Sequence, residues 1–307
     1  MRRFRSTALG AALLALALIA AACGDDGPGG GGGGGGGEDR TLTVGGVAFA
    51  ENQIVAEMYA QVLENAGFTV ERQTGLESRE VLQPAIEAGD IDIAPEYLSS
   101  LLLFLDPDAT ASGDPDEARS TLEPLLEERG QTLLESAEAN DTNAFVVTAE
   151  TAEEHGLASV SDLAPVAGQL TLGGPPECPE RPFCIPGLRD VYGIEFGEFV
   201  PLDVGGPLTV EALENGDIDV GLLFSTSSVI AANGWILLED DQSLQNAENI
   251  TPVVRSEVLS DEIEQLLNEV SATLTTENIT ELNGRVEIDE EDPADVAADH
   301  LSEEGLI

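Results

Sequence analysis

The stretch AIEAGDIDIAPEYLSS, Ala85–Ser100, decides the fold, because the chain writes it twice. The second copy is ALENGDIDVGLLFSTS, Ala212–Ser227, aligned with the first at a constant offset of 127 and without a gap. Each copy reads as a helix end, a glycine at the C-cap, an aspartate turn and a short apolar strand. Gly89 and Gly216 take the stop position, where a left-handed backbone costs glycine little.

Working outward, strand and helix patterns alternate along the whole body. LTVGGVAF (Leu42–Phe49) is β-rich, and ENQIVAEMYAQVLENAG carries Ile54, Met58, Val62 and Leu63 at helical spacing until Gly67 stops it. FTVERQ, QTLLES, NAFVVT, QLTLGG, EFVPLD and NITPVVR read as further strands. EARSTLEPLLEERG, LSDEIEQLLNEVSATL and PADVAADHLSEEG read as helices. Such alternation predicts an α/β fold with largely parallel sheets. The body, from Thr41 to Ile307, is long for one simple core and suits two lobes. In α/β sheets, ligands sit off the carboxyl ends of the strands. Tyr97 and Phe224 hold the same place just past those ends, and Ser99 and Ser100 match Thr226 and Ser227. If each copy belongs to its own lobe, the two rings face one another over a cleft.

The N-terminus is a targeting segment. Arg2, Arg3 and Arg5 precede the apolar run LGAALLALALIAAA, which is too short for an ordinary transmembrane helix. I-A-A-A-C at Ile19–Cys23 resembles a bacterial lipobox, which implies a signal peptide over 1–22 and a lipid on Cys23. An ordinary secretory signal with an incidental cysteine is the alternative. Residues 23–40 follow as a glycine-rich linker, with nine consecutive glycines from Gly29 to Gly37. The sixteen residues Gly24–Asp39 reach roughly 20–25 Å as a flexible coil. The expected location is the extracytoplasmic face of the cell membrane, held by the lipid alone.

Charge and cysteine usage exclude several classes. All 12 basic residues are arginine; removing Arg2, Arg3 and Arg5 leaves 9 against 59 acidic residues, a formal net charge of −50. Such a surface repels nucleic acid and anionic lipid, and it suits a solvated protein of a salty medium. The acidic loop DPDATASGDPDEA lacks the ordered spacing of a calcium site. His155 and His300 are the only histidines and do not stand at ligand spacing, so no metal is expected. Cys178 and Cys184, in CPERPFC, pair as a local disulfide in an exported protein. No nucleophile elbow, metal-binding histidine pair or P-loop is present, so the chain does not read as an enzyme and needs no cofactor.

Four segments carry a family resemblance: GVAFAENQIVAEMYAQVLENAG, LESREVLQPAIEAGDIDIAPEY, SDLAPVAG and ALENGDIDVGLLFSTSSVIAANGWILLEDD. In this order they resemble the substrate-binding proteins of the osmoprotectant ABC importers, which take glycine betaine, choline, carnitine and relatives. The most specific pieces are F-x-E at Phe49–Glu51, G-D-I-D-x-x-P-E-Y at Gly89–Tyr97 and S-D-L-A at Ser161–Ala164. The resemblance implies a type II periplasmic-binding-protein fold. Lobe one would be 41–143 with 253–307 and lobe two 144–252, hinged near Asn143 and Pro252. It also implies a monomer that hands a small solute to a permease and an ATPase. The same fold would equally serve a non-quaternary solute or a ligand-sensing lipoprotein.

Members of the family cage a quaternary ammonium with aromatic rings, since a cation without a proton to donate is best met by π-faces. Tyr97 matches a cage tyrosine and Phe224 falls where another is common. Asn143 and Val210 stand where relatives carry two more, so Phe49 or Phe145 would have to substitute. Asn52, Ser78, Arg79, Asn143 and Thr226 are the polar candidates for a carboxylate or hydroxyls. The cysteine pair is a departure from the family, in a loop expected at the lip of lobe two.

Overall fold

In the computed structural model, residues 41–307 are described, and they fall in one unit, Asp39–Ile307. The signal segment 1–22, Cys23 and the linker lie outside the described residues. In chain order the first elements are β1 (Thr41–Val47), α1 (Ala50–Asn65), β2 (Thr69–Leu76), α2 (Arg79–Ala88), β3 (Ile93–Tyr97), α3 (Leu98–Leu105), α4 (Pro115–Glu127) and β4 (Gln131–Leu133). Next come β5 (Asn143–Val147), α5 (Ala149–His155), β6 (Thr171–Gly174), α6 (Ile185–Tyr192), β7 (Glu198–Pro201), α7 (Pro207–Asn215), β8 (Val220–Phe224), α8 (Ser228–Ala232) and β9 (Ile236–Leu237). The chain ends with β10 (Ile250–Arg255), α9 (Asp261–Thr273), α10 (Thr276–Glu287) and α11 (Pro293–Glu303).

Two mixed five-stranded sheets result, β2-β1-β3-β10-β4 and β7-β6-β8-β5-β9. They repeat one plan. Three parallel strands are followed by one antiparallel strand, β10 in the first sheet and β5 in the second. The α/β, two-lobed architecture read from the sequence is therefore present. Among the described residues no helix is long and apolar enough to cross a membrane.

The repeated phrase explains why the plan recurs. Gly89 and Gly216 end α2 and α7 with φ of 83° and 72°. The next N–H, of Asp90 or Asp217, donates to the carbonyl of Ala85 or Ala212 at 2.9 Å. The second aspartate then fastens the middle one of its sheet's three parallel strands, β1 or β6. Asp92 Oδ2 accepts the N–H of Thr43 at 2.9 Å while its own N–H donates to the Thr43 carbonyl. Asp219 does the same to Thr171, at 2.8 Å. Between the aspartates, Ile91 and Ile218 lie against that same strand. A Cβ at Gly45 would meet Ile91 Cδ1 at 2.6 Å, and one at Gly173 would meet Ile218 Cδ1 at 2.5 Å. Glycine is required at both places because a side chain already fills the space.

Each lobe has its own core. In the first, α1 buries Ile54, Met58, Tyr59 and Val62 against β1 and the C-terminal helices α9 and α11. In the second, Phe145, Leu172, Val220 and Leu222 pack with Leu163 and Leu188. The chain crosses between sheets twice, after β4 and after β9. The crossing segments pair at Asn140 and Asn249. Asp141 N–H donates to the Glu248 carbonyl and Ile250 N–H to the Ala139 carbonyl, each at 3.1 Å. This pairing lies a few residues before Asn143 and Pro252, which themselves belong to β5 and β10.

Candidate functional site

The carboxyl ends of β3 and β8 open onto a cavity of about 370 Å³. α1 starts at its floor, with Phe49 as an extended N-cap residue. The Phe49 ring lies 6.0 Å from that of Tyr97 and 4.6 Å from that of Phe224, both tilted by about a third of a right angle. The two aromatics that end the repeated phrase thus meet through a third ring. Gly205, with φ of 63°, seats Phe224; a Cβ there would be 2.8 Å from the ring. Leu103, Phe104, Phe183 and Leu222 complete the apolar lining.

Under the rings, Glu51 is 2% exposed and joins the lobes. Its Oε1 accepts the Tyr97 hydroxyl at 2.8 Å and its Oε2 the Thr226 hydroxyl at 2.7 Å. Asn283 Nδ2 donates to the same Oε2 at 3.3 Å and to the Thr226 carbonyl at 3.1 Å. Asp141, from the first crossing, accepts the Thr226 N–H at 3.0 Å and the Ser225 hydroxyl at 3.2 Å. Burial raises the pKa of both Glu51 and Asp141, Asp141 far above the usual carboxylate range because Glu51 adds repulsion. Burial likewise pushes Tyr97 up, with the Glu51 charge second.

Arginines in the cavity are already paired. Arg79, at the start of α2, donates from Nε and Nη2 to Glu96 Oε2 at 2.9 and 2.7 Å. Burial opposes its charge, and Glu96 more than offsets this, so its pKa is raised. Arg181 pairs with Glu80 at 2.8 Å. The lining holds Glu80, Glu96, Asp141, Glu177, Glu180 and Glu248 as acids against these two bases. An acid-rich, partly desolvated hollow with exposed ring faces favours a cation over an anion.

The sequence candidates sort as follows. Phe49, Asn52, Ser78, Arg79, Tyr97, Asn143 and Phe224 line the cavity. Asn52 is engaged internally: its Oδ1 accepts the Val47 N–H at 2.6 Å and its Nδ2 donates to the Pro95 carbonyl at 3.1 Å. Asn143 Nδ2 donates to the Phe183 carbonyl at 3.2 Å. Phe145 is 3% exposed inside the core of the second lobe and is not among the lining residues. Asn143 and Phe145 share a face of β5, but Asn143 pairs with Phe224 at the cavity end while Phe145 lies two residues further along, opposite Leu222 in the core. Thr226 is not a lining residue either; its hydroxyl serves Glu51. Val210 packs against the cluster of Ala212 and Leu213. Cys178 and Cys184 are joined as expected, with Cα atoms 5.3 Å apart.

Phe104, Phe183, Asp141 and Glu248 were not marked by the sequence. Phe104 hides in LSSLLLFL, which reads as core, and Phe183 in the proline-rich loop that no periodicity describes. Asp141 and Glu248 stand at the crossings, whose pairing is non-local.

Comparison with known proteins agrees with this geometry. Residues 40–303 match the family model described as the substrate binding domain of ABC-type glycine betaine transport system. The chain is 31% identical over 281 residues to the glycine-betaine-binding protein of Pseudomonas aeruginosa, covering 87% of this chain and 89% of that one. It is 29% identical over 266 residues to the carnitine transport binding protein OpuCC of Listeria monocytogenes, covering 85% and 86%. A crystal structure titled as a glycine betaine/carnitine/choline ABC transporter superposes with a TM-score of 0.68 at 26% identity, over 86% of this chain and 99% of that one.

Proposed function

The chain belongs to the family of substrate-binding domains of ABC-type glycine betaine transport systems, and from that premise we propose that it is the extracytoplasmic receptor of an osmoprotectant importer. The family is one of transport proteins and not of enzymes. Its solute is a small quaternary-ammonium cation or betaine, bound between the lobes and delivered to a permease powered by an ATPase. The observation that carries the reading is the contact of Phe49 with both Tyr97 and Phe224 in an acid-lined cavity.

A trimethylammonium head presents only weakly hydrated C–H groups. Each ring face it touches contributes about 0.5–2 kcal/mol once water is excluded. The Tyr97 hydroxyl donates a hydrogen bond to Glu51, which fixes the ring at the cavity with its polar end satisfied. The volume lies at the small end of the roughly 300–1,000 Å³ usual for small-molecule sites, and so favours a compact solute. Lobe one (41–143 with 253–307) and lobe two (144–252) close about the paired crossings at Asn140 and Asn249. The receptor works as a monomer tethered through lipid on Cys23.

Calorimetry with glycine betaine, choline, carnitine and ergothioneine tests the reading. At least one binds, and the neutral carbon isostere of choline does not. Equal binding of that isostere removes the cation from the argument. For the tether, Cys23→Ser leaves the protein in the soluble fraction or as an uncleaved precursor; a mature membrane-bound variant contradicts the lipid anchor.

A further inference from the structure

The rim of the cavity holds a fastening that solute recognition does not require. Cys178 and Cys184 close a short loop after β6, in the second lobe. Arg181 stands at its tip, tied locally by its N–H to the Glu177 carbonyl at 3.1 Å and by its carbonyl to the Cys184 N–H at 3.0 Å. Its guanidinium leaves the lobe. Nη2 donates to both carboxylate oxygens of Glu80 at 2.8 and 2.9 Å, and Nε donates to Oε1 at 3.1 Å. Its Cζ also lies 5.8 Å from the Phe104 ring centroid. Glu80 is in the first turn of α2 and Phe104 is in α3, both in the other lobe. One side chain therefore spans the mouth and grips two separate elements.

We infer that Arg181 is a positioning residue that sets the lifetime of the closed, solute-loaded receptor, and that the Cys178–Cys184 loop holds it in place. The inference rests on the solute-binding reading. Arg181, Glu80 and Phe104 all line the cavity, so their contact ties its two sides together. A rim ion pair between flexible partners contributes little by itself. Here the fork geometry fixes orientation, the ring adds attraction to the cation, and the disulfide removes much of the loop's freedom. The contacts exist only when the lobes meet, so they slow opening without assisting encounter. Arg181 is the more enclosed partner, with 24% of its side chain accessible against 44% for Glu80.

The test is the kinetics of choline with the whole exported chain. Arg181→Ala and Glu80→Gln each speed dissociation about tenfold and leave association within about twofold. The exchange of charges, Glu80→Arg with Arg181→Glu, recovers most of the parent rate. Cys178→Ser with Cys184→Ser speeds dissociation by about threefold, since the loop loosens but Arg181 remains. Small-angle X-ray scattering of the solute-free proteins supplies a readout without choline: Arg181→Ala enlarges the radius of gyration and the exchanged pair restores it. If choline fails to bind the parent, the solute reading loses that ligand and the radius alone decides. Unchanged dissociation in Arg181→Ala, or an unchanged radius where choline does not bind, overturns the inference. So does an exchanged pair that stays as fast as the single variants.

Discussion

The two copies of the repeated phrase make the same turn and then serve different ends. Asp92 and Asp219 both fasten the middle one of their sheet's three parallel strands. Only Asp92 also binds an arginine, Arg255, at 2.7 Å, whose guanidinium fills the space beside Gly89. Among the described residues no arginine pairs with Asp219, which is half-buried, whereas Asp92 is buried. Past the strand, Tyr97 is buried with its hydroxyl on Glu51, while Phe224 is half-buried on the cleft. The first copy is thus built into a rigid lobe, and the second presents a ring to it. Duplicated sequence specifies the turn; what surrounds each copy specifies the role.

The aspartates carry the largest expected difference between the copies. Asp92→Ala leaves the Thr43 N–H without its acceptor and Arg255 with only the exposed Glu257, and costs about 3–4 kcal/mol of stability. Asp219→Ala loses the strand fastening alone and costs about 1–2 kcal/mol. Urea unfolding of both variants checks the ranking. Equal losses mean that Arg255 contributes nothing beyond the turn.

Local chemistry made the fold legible and hid part of the site. The glycine stops, the aspartate turns and the alternation of elements all act within a few residues, so GDID, Tyr97 and Phe224 could be marked from sequence. α3 was obscured because LSSLLLFL is apolar all round and has no amphipathic period. The carboxylates were obscured for another reason. Glu51 meets Thr226 across 175 positions and Ser100 meets Glu248 across 148, and no spacing rule reaches that far. Of the hydroxyls that close each copy, Thr226 reads as a ligand group, but it donates to Glu51 at 2.7 Å. The matched Ser100 and Ser227 donate to Glu248 at 2.7 Å and to Glu287 at 3.0 Å.

The rings give the next effect. Tyr97→Ala and Phe224→Ala each weaken solute binding by roughly 1–3 kcal/mol, through lost cation–π attraction and lost apolar burial. Because Phe49 touches both, the two losses are coupled in a double-mutant cycle. Tyr97→Phe separates the copies further: it leaves Glu51 short of a donor and destabilises by about 1 kcal/mol, whereas Phe224 has no hydroxyl to lose. Additive ring losses in calorimetry would show that the solute meets one ring only.

The matched serines predict a pH effect of about 1 kcal/mol for each partner. Burial raises Glu248 and Glu287 from the ordinary 4.5 to about 7, against the hydrogen bonds they receive. Between those values the folded protein holds protons that the unfolded chain releases. Each group's favourable contribution is therefore complete below about pH 4.5 and lost as pH rises through about 7. Glu287→Gln keeps the acceptor oxygen without the charge, so its stability relative to the parent improves by about 1 kcal/mol from pH 5 to pH 8. Because Ser227 and Ser228 of the second lobe hold Glu287, the parent's solute affinity falls over the same range and the variant's falls less. A pH-independent difference between the two proteins refutes this assignment.

The smallest effect separates a lining residue from a binding one. Asn143 pairs in register with Phe224 across β5 and β8 and lines the cavity, which invites the reading that its amide meets the solute. Its Nδ2, however, donates to the Phe183 carbonyl, and Gln245 Nε2 donates to that same carbonyl at 3.0 Å. The amide is a tie between β5 and the disulfide loop, and the carbonyl it serves keeps a second donor when it is removed. Asn143→Ala therefore weakens solute binding by less than about 0.5 kcal/mol, while the loop becomes modestly more open to hydrogen exchange. A loss as large as that of Phe224→Ala, with exchange in the loop unchanged, would place the amide on the solute and return to Asn143 the role that its position in the strand first suggested.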